Sequence, residues 1–126
     1  MRKITETVCK ALINGKKKTV SNTASNGQSI SLHGNRIIFK GEFHTYFNLQ
    51  GAVSPKNRKV GRYIPTPTTR ERLNGYLHLI GARFGFGQKN WEPVLHGLND
   101  KDEYVVRPVS DNTWHSYKEL KEIINS

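Results

Sequence analysis

Tyr46, Tyr63 and Trp91 are rings placed where a ring can do something other than fill a core. Tyr46 alternates with the apolar positions of its segment, Tyr63 follows Arg62 directly, and Trp91 stands two residues after Lys89. A ring offers its face to a planar base, and a neighbouring ammonium or guanidinium group neutralises the adjoining phosphate. The cations available for this are Lys16, Lys17, Lys18, Arg36, Lys40, Lys56, Arg58, Lys59 and Arg62. Arg70 joins them in the first turn of a predicted helix, where free backbone N–H groups already favour an anion and an arginine opposes the helix dipole. Phe86 is a further stacking candidate, whereas Phe43, Phe47 and Phe84 are expected in the core.

The charge divides unevenly along the chain. Residues 1–62 hold twelve Lys and Arg against only Glu6 and Glu42, while residues 63–126 hold eight Lys and Arg against eight acids. The excess of +10 therefore belongs to the first half. A field of one sign attracts a polyanion and speeds its encounter. Nucleic acid fits that description, as does an acidic protein surface, and a basic surface also serves solubility.

Bond-making chemistry finds less support. None of His33, His44, His78, His96 and His115 stands at metal-ligand spacing from another, and the one cysteine, Cys9, adds no ligand set. His44 shares a predicted strand face with Tyr46 and is the best catalytic candidate, yet a lone strand histidine is usually a hydrogen-bonded surface residue. Asp100, Asp102 and Glu103 crowd one turn, as solvated acidic turns do. Glu119-Leu-Lys121 has the residue types of a nuclease motif but falls in a helical pattern. Gly81, Gly85 and Gly87 do not lead into the Lys-Ser or Lys-Thr helix start of a phosphate-binding loop. No catalytic residue, metal ligand or cofactor is assigned, and Cys9 is expected to be a small buried residue of a helix.

The elements that position these groups follow from periodicity. Ile4, Val8, Ala11 and Leu12 predict a helix over residues 2–14, stopped by Gly15. Four antiparallel strands are expected next: Val20 to Ser25, Ser29 to His33, Arg36 to Lys40 and Glu42 to Leu49. Their turns fall at Asn26-Gly27, Gly34-Asn35 and Gly41. Phe43, Thr45, Phe47 and Leu49 make one apolar face of the last strand. Residues 50–64 read as a long basic connection. A second helix follows, with Pro67 at its first position and a capping-box pattern at Thr68 to Glu71 two residues out of register with it. Leu73, Tyr76, Leu77 and Ile80 form its stripe, and Gly81 closes it. Three further strands cover Arg83 to Gly87, Trp91 to His96 and Glu103 to Val109, with Pro93 placing the middle one at an edge or bulge. Ser116 and Glu119 form a capping box for a last helix over residues 115–125. The expectation is one α+β domain over residues 1–126, in the order α-β4-α-β3-α, built on antiparallel meander sheet.

Two resemblances accompany this reading. Thr66-Pro-Thr-Thr-Arg-Glu-Arg-Leu-Asn74, followed by Gly85-Phe-Gly-Gln-Lys-Asn-Trp91, resembles a pattern in small proteins of tailed bacteriophages. Those proteins also carry a segment similar to Leu32-His33-Gly34-Asn35, so the likeness spans about 60 residues. It implies a phage-encoded protein in an infected bacterial cytoplasm and brings no activity with it. The order of four strands and a helix, twice, is similar to that of Whirly-type single-strand-binding domains, although the second unit is one strand short.

The resulting expectation is a non-catalytic protein of the cytoplasm that binds single-stranded nucleic acid or RNA with low sequence specificity. The alternative is a phage accessory protein that binds and inhibits an acidic host protein. A membrane role is not expected, because no apolar run approaches the length that crosses a bilayer.

Overall fold

The computed structural model describes residues 1–49, 67–90, 92–109 and 114–126. Its elements run α1 (Lys3–Ile13), β1 (Lys17–Val20), β2 (Thr23–Asn26), β3 (Ser29–Leu32), β4 (Asn35–Lys40), β5 (Thr45–Asn48), α2 (Pro67–Leu79), β6 (Phe84–Lys89), β7 (Glu92–Leu98), β8 (Tyr104–Pro108), β9 (Trp114–Ser116) and α3 (Tyr117–Ile124). The strands form two antiparallel sheets, one of six strands in the order β1-β2-β3-β4-β5-β9 and one of three in the order β6-β7-β8. The class is α+β with N-terminal, central and C-terminal helices, as the periodicity predicts. Among the described residues no helix is long and apolar enough to cross a membrane.

Local chemistry accounts for most boundaries. Gly15 takes φ +66, and its N–H donates to the Leu12 carbonyl while Lys16 N–H donates to that of Ala11. This pair of bonds closes α1 around a left-handed glycine. Gly81, at φ +87, ends α2 in the same way, through bonds from Gly81 to His78 and from Ala82 to Leu77. Ser116 starts α3 by accepting from the Glu119 N–H at 3.1 Å, which is half of the expected capping box. Glu71, by contrast, points its carboxylate at α1, so the pattern at Thr68 to Glu71 spends its acid elsewhere.

Several expectations are corrected. The predicted first strand contains a turn at Ser21-Asn22, with Ser21 at φ 55, so Val20 and Thr23 lie on different strands. Lys17 and Lys18 are strand residues of β1, and the first half carries five strands instead of four. The Asn26-Gly27 turn is centred one residue later, because the Asn26 side chain accepts from the N–H groups of Gln28 and Ser29. The next turn uses His33 and Gly34, both at positive φ, which suits a two-residue hairpin. Pro93 lies in the central strand of the small sheet, near its start, where its carbonyl accepts from the Val109 N–H at 3.3 Å just past the end of β8. Its missing N–H removes only the return bond to Val109, at the frayed end of the ladder. His115 and Ser116 belong to a ninth strand, and the last helix begins only at Tyr117.

One core cluster takes residues from all three helices and both sheets. Phe47 sits at its centre, edge-on to Tyr76 at 5.8 Å and 6.2 Å from Phe86. An extra residue in β4, opposite the step from Ile30 to Ser31, lets consecutive Ile37 and Ile38 both bury completely. The Cys9 thiol is pushed up to about 12, chiefly by burial, and its sulfur lies 3.9 Å from the Arg72 carbonyl that accepts from it. Such a thiol is packing material rather than a nucleophile.

Two polar devices hold the helices to this core. Arg72 is only 2% exposed. Its Nε donates to Thr23 Oγ1 at 2.9 Å and its Nη1 to Thr5 Oγ1 at 2.8 Å, and the same nitrogen pairs with the Glu71 carboxylate. Thr5 donates in turn to Glu71. The network joins α1, α2 and β2 through a buried arginine. The second device is Asn74, whose amide donates to the Phe86 carbonyl at 2.9 Å and accepts from the Phe86 N–H at 2.7 Å. It occupies the free edge of β6 as another strand would. A Cβ on Gly85 would stand 2.9 Å from the Asn74 oxygen, which explains a glycine there.

Asn74→Ala should lower the unfolding free energy by about 2–4 kcal/mol, because two edge groups of β6 lose their partner. Asn74→Asp, which keeps the acceptor alone, should fall between it and wild type in urea denaturation. Glu71 sets a pH dependence. Burial raises its pKa, but hydrogen bonds from Thr5, the Arg2 N–H and Arg72, together with the Arg72 charge, outweigh this and hold it below its ordinary value. Its contribution is therefore complete above the unfolded value of about 4.3 and is lost as pH falls through the lower folded value. Glu71→Gln should be less stable than wild type at neutral pH, and the gap should narrow below about pH 4.

Candidate nucleic-acid interface

The strand register sorts the side chains of the large sheet into two faces. Thr23, Ser25, Ile30, Leu32, Ile38, Phe47 and His115 point to the side on which the helices and the small sheet pack, and all are buried. No described element covers the other side. Two transverse rows of side chains lie there. One runs Ser116, Tyr46, Phe39, Ser29, Asn26, Lys17, and the other Trp114, Asn48, Arg36, Ser31, Ala24, Thr19. With strands about 4.8 Å apart, the face is roughly 24 Å wide from β1 to β9.

Its β4–β5–β9 end is aromatic. Phe39 and Tyr46 are direct cross-strand partners with ring centroids 6.5 Å apart. Trp114, 40% exposed, lies opposite Asn48 and so diagonally from Tyr46. The His44 ring stands edge-on to Tyr46 at 6.3 Å. Arg36 is exposed on the same face, and Lys17 ends the Tyr46 row at the far edge. Small side chains fill the middle, where Ser29 is buried and its hydroxyl donates to Asn26 Oδ1 at 3.2 Å. The surface is a ring-bearing platform with a smooth polar floor and cations on it. Flat platforms of this kind accept bases by stacking.

The expected site residues meet different fates. Tyr46 and Arg36 lie on this face, as does Lys17. Lys18 points to the opposite side of β1, and Lys16 precedes the strand with its carbonyl accepting from Ser25 Oγ at 2.8 Å. Lysines on an edge strand also oppose pairing with another chain. The Lys40 ammonium donates to the Ile13 carbonyl at 3.0 Å and so joins Lys10 as a cation at the C-terminus of α1. Arg70 is half-buried on α2, the helix that packs against the inner face, and Lys89 is exposed at the end of β6 in the other sheet. Phe86 is core. Lys56, Arg58, Lys59, Arg62, Tyr63 and Trp91 lie outside the described residues.

Phe39 and Trp114 were not singled out by the sequence, and Phe43 was assigned wrongly. Phe39 was readable as the outward partner of inward Ile38. Trp114 required β9, a three-residue strand whose pairing is entirely long-range. Phe43 is 83% exposed because the chain turns at Gly41 to His44, closed by the Gly41 N–H donating to the His44 carbonyl at 2.8 Å. That turn breaks the alternation that predicted a buried Phe43.

Other polar clusters among the described residues are held by local bonds. Asp102 pairs with Arg83, and Asn99 organises the acidic turn by accepting from the N–H groups of Lys101 and Glu103. Among the described residues no group of His, Cys, Asp and Glu is arranged to hold a metal. His96 lies 3.2 Å from the Tyr104 hydroxyl, and His115 is buried beside Glu119 at 3.3 Å. Comparison with family models, with curated proteins and with solved structures finds no match to this chain.

Gly41 supports the platform from its edge. A Cβ there would stand 2.9 Å from the His44 carbonyl oxygen and 3.4 and 3.6 Å from the Phe39 and Tyr46 rings. Gly41→Ala should therefore cost about 1–3 kcal/mol of stability. It should also shift the ring resonances of Phe39 and Tyr46, while leaving those of Phe86 in place.

Proposed function

We propose that this protein binds single-stranded nucleic acid or RNA, with low sequence specificity and without catalysis, on the outer face of its six-stranded sheet. The observation that carries the reading is the juxtaposition of Phe39, Tyr46 and Trp114 on a face that no described element covers, with Arg36 and Lys17 on the same surface. Rings exposed on a sheet serve stacking, which tolerates any base. The cations serve the phosphates, and the net charge of +10 draws the strand in. Tyr46 and Trp114 would stack bases, with Phe39 supporting Tyr46. Arg36 and Lys17 would contact phosphates. The resemblance to tailed-bacteriophage proteins supplies a setting for this reading, an infected bacterial cell.

Fluorescence anisotropy with labelled single-stranded DNA and RNA tests it. With roughly four to six phosphate contacts, the slope of log K against log salt should be about −3 to −4. Tyr46→Ala and Trp114→Ala should each weaken binding roughly 10- to 100-fold with the slope unchanged. Both rings reach the surface, so the variants should stay folded by circular dichroism. A flat salt dependence, or full affinity in both folded variants, would sink the proposal. Retention of a stoichiometric acidic protein after nuclease treatment would then assign the charge to a protein partner.

A further inference from the structure

Beyond the aromatic platform, an open groove lies between the β4–β5 turn, the end of α2 and the start of α3. Phe43, His44, Ile80, Tyr117, Lys118 and Lys121 line it, and no carboxylate does among the described residues. Phe43 is the most exposed large apolar side chain described, and Ile80, 36% exposed, shares the groove with it. Lys118 and Lys121 are three residues apart on α3, so they project from neighbouring positions on one helix face. The Lys121 ammonium lies 5.9 Å from the centroid of the Tyr117 ring, which anchors it by a cation–π contact. The same ring stacks on Phe84 at 5.9 Å. Tyr117 therefore positions a lysine rather than a base. Phe43 has no ring partner among the described residues.

The groove and the platform are continuous. His44 belongs to the groove and stands edge-on to Tyr46, and Tyr46 faces Phe39 across the strand pair. Rings therefore run from Trp114 over Tyr46 to His44 and Phe43, and the run ends at two lysines. This cationic end lies in the half of the chain whose net charge is zero. The general basicity of the protein does not account for it.

We infer that the single strand leaves the platform through this groove, with a base against Phe43 and its flanking phosphates at Lys118 and Lys121. The inference rests on the reading of the outer face as a nucleic-acid platform. It assigns the far end of that site, and it makes the site longer than the sheet face alone. An acidic peptide would meet the same two lysines, but the ring sequence leading in from Tyr46 favours a strand of bases.

The test is a length series of oligothymidine strands of roughly 4 to 16 nucleotides, the span of known single-strand sites. It compares wild type with Phe43→Ala, with Lys118→Ala/Lys121→Ala, and with Lys3→Ala/Lys10→Ala as a control of equal charge on α1. All these side chains are exposed, so each variant should fold. Phe43→Ala should weaken the long strands roughly 10-fold and leave the shortest unaffected. The Lys118/Lys121 variant should lower the salt slope for long strands by about 1.4, two phosphates at about 0.7 each. The control should not. Groove variants that match wild type at every length, while Tyr46→Ala still weakens binding, would overturn this inference and leave the platform standing. Equal losses in the α1 control would overturn it as well, by reducing the effect to bulk charge. If wild type binds no strand of any length, or Tyr46→Ala costs nothing, the platform reading fails and the groove with it. A groove-dependent affinity for an acidic peptide instead of oligothymidine would replace the nucleic acid by a protein.

Discussion

A guanidinium group buried under two helices has to be surrounded by acceptors, and in this fold it is. Arg72 takes Thr5 from α1, Thr23 from β2 and Glu71 from its own helix. Removing one partner from such a set would leave a buried charge uncompensated, which costs far more than the net contribution of the pair. The network therefore dictates geometry more than it adds stability. It places α1 and α2 on the same side of the large sheet, in one register relative to β2. Asn74, half a turn further along α2, then ties the small sheet to the same helix through the backbone of Phe86. The one-sided packing of the six-stranded sheet follows from these two attachments.

One-sided packing is what creates a surface available for binding. An antiparallel sheet tolerates water on one face, and its outward side chains are free of packing duty. Here the outward rows carry hydroxyls, an arginine and a lysine, but also Phe39, Tyr46 and Trp114. Hydrophobic burial would have favoured placing those rings on the inner face, where Phe47 already sits. Their grouping on the wet face, with His44 and Phe43 continuing the series to the α3 lysines, gives a path of rings bordered by cations. In the proposed function, phosphate attraction would supply encounter and salt-sensitive affinity, and ring stacking the part that salt does not screen.

The segments 66–74 and 85–91 have a structural explanation in their described residues. Arg72 and Asn74 are the two attachments of α2, Gly85 leaves room for Asn74, and Phe86 receives it and fills the core beside Phe47. Gly87 lies under the His96 ring, where a Cβ would stand 2.7 Å from a ring carbon. Helix and strand form one interlocking unit separated by a short connection. That unit builds the scaffold, and the candidate binding surface lies on the other side of it.

The sequence by itself determined whatever is local. The two glycine-closed helix ends, the Ser116 cap, the outward position of Tyr46 and the antiparallel hairpins are all set by residues within a few positions of one another. Backbone sterics and side-chain periodicity act at that range. The charge division was legible too, being a matter of counting. Contacts between distant segments decided the rest. Lys40 is held by α1 through a carbonyl 27 positions away, and Arg72 is sequestered by Thr5 across 67. A three-residue strand with no periodicity of its own acquires a place in the sheet only through β5, and it carries Trp114 onto the platform. Phe43 failed as a core residue because a four-residue turn cancels an alternation that exists only in the letters. Periodicity says which side of its own element a side chain takes. Which of those sides faces water depends on where the other elements pack, and that was decided by the buried arginine and the threonines that receive it.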